Sequence, residues 1–172
     1  MTKAMYELSL DLDQSAGDWP ADTDWEELSR TALAAAAGRA GLALKPGAVV
    51  SILLTDDAAV RAINRQWRAK DAPTNVLSFQ SVSPDRLTEA PALGDIVLAC
   101  ETVRREAQEA GIAFAAHATH LIVHGFLHLL GFDHEEDAEA ERMEALETAI
   151  LADLGIADPY AEPAPEHMAR PA

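Results

Sequence analysis

The sequence is poor in several residue types, and each shortage excludes a class of protein. A single cysteine, Cys100, among 172 residues excludes an intramolecular disulfide framework and a cysteine-based zinc cluster. The N-terminus lacks a basic start followed by an apolar run, so it does not predict a signal peptide. The most apolar stretch, residues 112–132, is interrupted by four histidines, which excludes a membrane span. Together these absences predict a cytoplasmic protein.

Basic residues are also scarce. Lysine and arginine number 13 against 29 aspartates and glutamates, which gives a net charge of −16. Sequence-independent binding to nucleic acid depends on neutralising phosphates, so this balance argues against such binding by the chain as a whole. Residues 61–70 are the exception, because they hold four basic side chains and no acid: Arg61, Arg65, Arg68 and Lys70. This segment is compatible with one small basic site and equally with the solvated face of a helix.

Length and composition predict one ordinary globular domain. Apolar residues make up 49% of the chain and charged residues 24%, which argues against global disorder. Patterning predicts strands near 6–12, 48–54, 76–79 and 96–100, and helices near 25–39, 101–110, 114–130 and 138–154, with a further helix after residue 55. We therefore predict a single α/β (α+β) domain over residues 1–157, with about four strands in a mixed sheet and about five helices. Residues 158–172 are rich in proline and alanine, which predicts a disordered tail.

Two local patterns give finer expectations. Residues 23–26 have the form of a capping box, which predicts Thr23 as the N-cap of the first helix. In the helix after residue 55, Val60, Ile63 and Trp67 fall at positions i, i+3 and i+7. That spacing predicts that these three side chains share one apolar helix face.

Histidines are concentrated in one short segment, since five of the six lie between positions 117 and 134. His124 and His128 are four residues apart, so on a helix they lie on the same face and can bind one metal ion. Gly131 can end that helix and reverse the chain, which would bring His134 against the other two. Three imidazoles leave one tetrahedral position for water, the arrangement typical of catalytic zinc at the end of a central helix. Zinc would lower the pKa of that water to about 7.

The same spacing occurs in the metzincin zinc proteases. Those enzymes have a glutamate directly after the first histidine as general base, and here that position is Gly125. This difference argues against peptide hydrolysis by that route, and hydrolysis of another bond stays open. His117 and His120 lack the spacing of the other three histidines and are expected to pack or to form hydrogen bonds.

Two separate segments match motifs of one known family. Residues 124–134 match the pattern H-G-x-L-H-L-x-G-[YF]-D-H at every fixed position. Residues 64–79 match N-x-x-[YW]-R-x-K-D-x-P-T-[ND]-V-L-S-F, and residues 94–96 match a G-D-I strand. Over roughly residues 45–155 the chain resembles the YbeY family of bacterial, single-domain, zinc-dependent endoribonucleases.

The resemblance implies specific roles for site residues. It places the metal ligands at His124, His128 and His134, which would hold one Zn²⁺ per chain; three-histidine sites also accept cobalt, nickel or copper. It places the functionally important arginine at Arg68. A guanidinium there could bind a phosphate with paired donors and stabilise the charge that develops on phosphorus.

Five further polar residues are weaker candidates. Asp71, Asn75 and Ser78 could line the same cleft, although turn formation and capping explain them equally well. Asp95 and Asp133 could orient a ligating imidazole by a hydrogen bond to its second nitrogen.

The resemblance also implies a function and partners. The expected activity is that of a single-strand-specific, metal-dependent endoribonuclease in ribosomal RNA processing, at the 3′ end of 16S rRNA of the small subunit, and in ribosome quality control. The expected partners are ribosomal RNA, the small ribosomal subunit with its proteins and the GTPase Era, and no membrane. Such partners would supply much of the RNA affinity that a protein of charge −16 lacks.

Alternatives remain at this point. The attacking group could be a zinc-bound water or the 2′-OH of the RNA. The chain could instead be a ribosome-associated assembly factor with a largely structural zinc, because no general base follows His124. It could also be a metzincin-like hydrolase of another substrate.

Overall fold

The computed structural model describes residues 7–72, 74–133 and 135–160. Within these ranges four strands and five α-helices follow one another as β1 Ser9–Gln14, α1 Trp25–Ala40, β2 Val49–Thr55, α2 Asp57–Arg68, β3 Val76–Gln80, β4 Ala92–Ala99, α3 Cys100–Ala110, α4 Phe114–Leu129 and α5 Asp137–Asp153. A short 3₁₀ helix, Pro84–Glu89, lies between β3 and β4. The prediction of a single α+β domain with a four-stranded mixed sheet and about five helices is confirmed.

The sheet has the strand order β1-β2-β4-β3. β1, β2 and β4 are parallel, and β3 pairs antiparallel with β4 at one edge. β4 begins four residues earlier than patterning predicts, at Ala92 rather than residue 96. The reason is pairing on both sides, because Ala92 pairs with Val49 and Gly94 pairs with Gln80.

α4 is the central helix of the domain. It contacts β3, β4, α1, α3 and α5, and the side chains of Ile122, Phe126 and Leu127 on it are fully buried. Gly125 faces the sheet, where a Cβ atom would lie 3.0 Å from Cγ2 of Ile96. The missing side chain therefore lets α4 lie close to β4.

Two local expectations were wrong. α1 begins after Asp24 rather than Thr23, because the Asp24 side chain accepts a hydrogen bond of 3.0 Å from the amide of Glu27. Trp67 does not join the buried face of α2, since 67% of it is exposed. The apolar cluster beneath α2 is small, and Val60 and Ile63 occupy it before the last helical turn.

The predicted C-terminal tail begins within the described residues. Residues 161–172 lie outside them, whereas Asp158 to Tyr160 are described. The Thr148 hydroxyl of α5 donates a hydrogen bond of 3.1 Å to Asp158, and the same carboxylate accepts one of 2.8 Å from the Tyr160 amide. These two bonds hold residues 158–160 against the end of the domain.

The length and apolar character of the helices decide whether one of them could cross a membrane. No single helix in the described part of the chain is long and apolar enough to cross a membrane. α3 and α4 meet that test only as a pair, and the chain bends by 115° between them.

Candidate functional site

A cleft of about 740 Å³ opens between β3, α4 and the last described residues. Its walls come from the end of α2, from β3, from α4 and from the turn that follows α4. The polar side chains on these walls are Arg68, Asn75, Ser78, Gln80, His120, His124, His128, Asp133, Glu135 and Tyr160. The cleft therefore brings together residues from the two motif segments, which are far apart in the sequence.

His124 and His128 lie on the cleft face of α4, as their spacing predicts. Their Nε2 atoms are 3.2 Å apart. Two ligands at tetrahedral angles, each about 2.0–2.1 Å from zinc, would be separated by about 3.3 Å. The two nitrogens are therefore close to the separation that a shared ion requires.

The third predicted ligand, His134, lies outside the described residues. Among the residues that the structure describes, no group of three histidine, cysteine, aspartate or glutamate side chains could hold a metal ion. The described part of the cleft thus offers two candidate nitrogen ligands, on His124 and His128.

Hydrogen bonds fix the end of α4 against the sheet. The Gln80 side chain at the end of β3 donates a hydrogen bond of 3.1 Å to the backbone oxygen of His128. Together with the close approach of α4 to the sheet at Gly125, this bond fixes the helix turn that carries both imidazoles.

Glu147 of α5 lies behind the imidazole pair and is fully buried. Its Oε2 is 2.6 Å from His124 Nδ1, and its Oε1 is 3.0 Å from His120 Nε2. The Tyr160 hydroxyl donates a hydrogen bond of 2.6 Å to the same Oε1. All three of these neighbours can donate a hydrogen bond to the carboxylate, the two histidines from a ring nitrogen and Tyr160 from its hydroxyl.

Burial and hydrogen bonding act in opposite directions on the pKa of Glu147. Burial raises the pKa of the carboxyl. Four effects lower it and together outweigh burial: the hydrogen bonds from His120 and His124, the charge of His124 and the hydrogen bond from Tyr160. The pKa falls to about 2, so the group is ionised near neutral pH. The pKa of Tyr160 is raised by burial and by its bond to this carboxylate, so the phenol keeps its proton.

Sequence reasoning missed Glu147, Tyr160 and Gln80. A signal for Glu147 was present, because it lies four residues after Met143 and three before Ile150, which places it on the same helix face as these two apolar side chains. An acid on a buried helix face is rare unless it is paired. His117 and His120 form hydrogen bonds as expected, to Glu106 and Glu147 respectively.

Arg68 lies at the last residue of α2, on the rim of the cleft. Its Nη2 donates a hydrogen bond of 3.1 Å to the backbone oxygen of Ser78, and its Cζ lies 5.4 Å from the centre of the Phe79 ring. The next residue, Ala69, has a left-handed backbone with φ of 59°, which ends the helix. Two contacts with β3 thus orient the guanidinium.

Three of the weaker candidates line the cleft: Asn75, Ser78 and Asp133. The Asn75 side chain donates a hydrogen bond of 3.0 Å to Glu106, which also contacts His117 at 2.8 Å. Ser78 contributes its backbone oxygen to Arg68.

The structure does not bring Asp71 and Asp95 into the cleft. Asp71 forms an exposed ion pair of 2.7 Å with Arg61, whose hydrogen bond lowers the pKa of the carboxyl. Asp95 lies on the opposite face of the sheet, because its neighbour Ile96 faces α4 and side chains alternate along a strand. There it borders a separate groove together with Trp67.

Comparisons with known proteins identify the family of the chain. A sequence profile of the family described as Endoribonuclease YbeY matches residues 12–155. The chain is 50% identical over 168 residues to Endoribonuclease YbeY of Rhizobium meliloti (strain 1021), covering 94% of this chain and 99% of that protein. It is also 50% identical over 167 residues to the protein of the same name from Rhodospirillum rubrum, covering 91% of this chain and 84% of that one.

The fold has a counterpart among solved structures. The solution structure of TM1509 from Thermotoga maritima matches with a TM-score of 0.54 at 22% identity, covering 89% of this chain and 99% of that one. This likeness concerns the fold alone.

The matched profile spans both motif segments and the helix that carries Glu147. On that evidence the chain belongs to the endoribonuclease YbeY family.

Proposed function

We propose that this chain is a metal-dependent endoribonuclease whose cleft binds one phosphodiester group of RNA. The observation that carries the proposal is the presence, in one cleft, of two imidazole nitrogens 3.2 Å apart and of an oriented guanidinium. Membership of the endoribonuclease YbeY family supports RNA as the substrate.

The proposed cofactor is one Zn²⁺ per chain, held by His124, His128 and, from the sequence motif, His134. Neutral imidazoles are suitable zinc ligands, and the separation of the first two fits a shared ion. When bound, the ion would supply Lewis-acid chemistry at a phosphoryl oxygen or at a water.

Arg68 is the proposed phosphate-binding residue. Among the described residues that line the cleft, it is the one with a permanent positive charge. Its contacts with Ser78 and Phe79 orient the guanidinium before RNA arrives. A preoriented donor stabilises charge on the transition state more than a mobile one does, because less reorganisation is needed.

Proton transfer has two candidate carboxylates on the cleft wall, Asp133 and Glu135. A carboxylate here could accept a proton from the RNA 2′-OH or from a water. Attack by the 2′-OH leaves a 2′,3′-cyclic phosphate on the product, and attack by water does not. The end group of the product therefore distinguishes the two routes.

The substrate we propose is single-stranded ribosomal RNA, at the 3′ end of the 16S precursor, with a further part in ribosome quality control in the cytoplasm. The protein carries a net charge of −16, so one arginine gives little general affinity for RNA. We therefore propose that the small ribosomal subunit, its proteins and the GTPase Era bring the RNA to the cleft.

A second candidate is an assembly factor in which zinc is largely structural. It is favoured by Gly125, which occupies the position where metzincins have their general base. A Cβ atom at Gly125 would already lie 3.0 Å from Cγ2 of Ile96, so any side chain there requires Ile96 to shift. The same observation counts against a metzincin-like peptidase.

The test is cleavage of an end-labelled RNA that contains the 3′ precursor of 16S rRNA. Wild type is compared with His128→Ala and Arg68→Glu. The matched control is Arg65→Glu, one turn earlier on α2, whose side chain does not line the cleft. All proteins are purified identically, and the product end groups are analysed.

We expect wild type and Arg65→Glu to cleave at the same sites, and the two cleft variants to lose cleavage. Equal cleavage by all four proteins would indicate a contaminating nuclease. Absence of cleavage by every purified protein, with rescue of 16S maturation in cells by wild type and by Arg68→Glu, which keeps the metal-binding histidines, would favour the assembly factor.

A further inference from the structure

Glu147 contacts the proposed metal ligand His124 on the side away from the cleft. The carboxylate is fully buried and has three neighbours within 3.0 Å, namely His120, His124 and Tyr160. Both of its oxygens are therefore occupied, one by His124 Nδ1 and the other by His120 Nε2 and the Tyr160 hydroxyl. Such a carboxylate is held in one orientation.

This geometry determines which nitrogen of His124 is available to an ion. A carboxylate accepts hydrogen bonds and has no proton to donate, so the proton of His124 lies on Nδ1. In the neutral form of the ring, the form that binds a metal ion, the lone pair then lies on Nε2. That atom is 3.2 Å from Nε2 of His128 and faces the cleft.

Tyr160 belongs to the same hydrogen-bond set although it follows α5. The Asp158 carboxylate accepts bonds from the Thr148 hydroxyl and from the Tyr160 amide, and these fix the turn that returns the chain to α5. The Tyr160 hydroxyl then reaches Glu147 at 2.6 Å. Its ring also contacts the His120 ring edge to face, with centres 5.7 Å apart.

We propose that Glu147 is a positioning residue for His124 and that Tyr160 holds Glu147 in place, so that residues 158–160 belong to the metal site. Glu147 selects the tautomer of His124 and fixes the plane of its ring. Tyr160 prevents the carboxylate from rotating away from His124. The inference rests on the proposed metal site and adds to it two residues outside the ligand motif.

The experiment measures metal affinity rather than activity. The full chain is stripped with a chelator, and the Kd for Zn²⁺ is determined by competition with a chromophoric chelator. The visible spectrum of bound Co²⁺ reports the ligand geometry. The variants are Glu147→Gln and Tyr160→Phe, with Glu144→Gln as matched control, because Glu144 is an exposed acid one turn earlier on α5.

We expect Glu147→Gln to weaken Zn²⁺ binding by about 10- to 100-fold, the usual effect of removing a carboxylate behind a ligating histidine. Its amide group would donate toward His124 and favour the wrong tautomer. Tyr160→Phe should weaken binding by a smaller factor and change the Co²⁺ spectrum. Because Tyr160 is 42% exposed, its variant keeps the test valid if Glu147→Gln does not fold.

The possible outcomes separate the two proposals. Unchanged Kd and Co²⁺ spectra in both variants, with wild type binding one ion, would overturn this inference and leave the metal site intact. A wild-type protein that binds no metal would overturn the metal site and the inference with it. Loss of affinity in Glu144→Gln equal to that in Glu147→Gln would overturn the positioning role, since general charge would explain both.

Discussion

The guanidinium carbon of Arg68 lies 5.4 Å from the centre of the Phe79 ring. A cation above an aromatic face contributes about 0.5–1 kcal/mol at an exposed site. We therefore expect Phe79→Leu to weaken binding of a labelled single-stranded RNA by about 2- to 5-fold. The effect should vanish in an Arg68→Ala background. Equal weakening in both backgrounds would show that Phe79 acts independently of Arg68.

Metal removal should lower thermal stability. An ion that binds only the folded chain stabilises it by about 2.7 kcal/mol when its concentration is 100 times the Kd. For a domain of this size we expect a rise in Tm of roughly 5–10 °C when Zn²⁺ is added to chelator-treated protein. The same addition should leave the Tm of His128→Ala unchanged. A similar rise in that variant would place the ion elsewhere.

Gly125→Ala should destabilise the fold. The new Cβ would lie 3.0 Å from Cγ2 of Ile96, whose side chain is fully buried and would have to shift. Overpacking costs about 1–3 kcal/mol, and the better helix propensity of alanine offsets about 1 kcal/mol of it. Urea unfolding should show a net loss of about 0–2 kcal/mol. A more stable variant would mean that α4 can move away from the sheet.

An ion pair joins α1 to α5 and should give a pH-dependent part of the stability. Arg39 Nε and Nη2 donate hydrogen bonds of 2.8 and 2.9 Å to the two oxygens of Asp153, and these bonds lower the pKa of the carboxyl. A lowered folded-state pKa stabilises above the unfolded pKa, and that stability is lost as pH falls through the folded value. We therefore expect Asp153→Asn to be less stable than wild type at pH 7 and to approach it below pH of about 4.

The control for this prediction is the Arg39→Gln background, where Asp153→Asn should have no further effect. Unfolding by urea at a series of pH values measures both. A constant difference between Asp153→Asn and wild type across the series would rule out the ionised carboxylate as its cause.

The parts of the site that the sequence predicts are those set by local geometry. His124 and His128 share a helix face because they are four residues apart, whatever surrounds the helix. The same reasoning could not locate Glu147 beside them, since that contact depends on how α5 packs against α4. The prediction for Asp95 was wrong for a similar reason. Whether its side chain faces the cleft depends on which face of the sheet α4 covers.

Local capping and burial were also decided by context. Asp24 caps α1 in place of Thr23, whose hydroxyl can also accept a hydrogen bond, because the Asp24 side chain is the one that reaches the amide of Glu27. Trp67 has the helical spacing of a core residue, yet the apolar surface beneath α2 ends before it. Spacing predicts a face, and the size of the opposing surface decides how much of that face is buried.

Because Tyr160 follows α5 in the sequence, the ribosome synthesises the side chains of this site in a fixed order. Tyr160 is made 32 residues after His128, and Glu147 is made 19 residues after it. At about 5–20 residues per second, roughly 2–6 seconds separate the synthesis of His128 from that of Tyr160, which bonds Glu147 behind His124. A growing chain thus has both imidazoles before it has the two residues that we propose to position His124, and Tyr160 is the last of these side chains to be added.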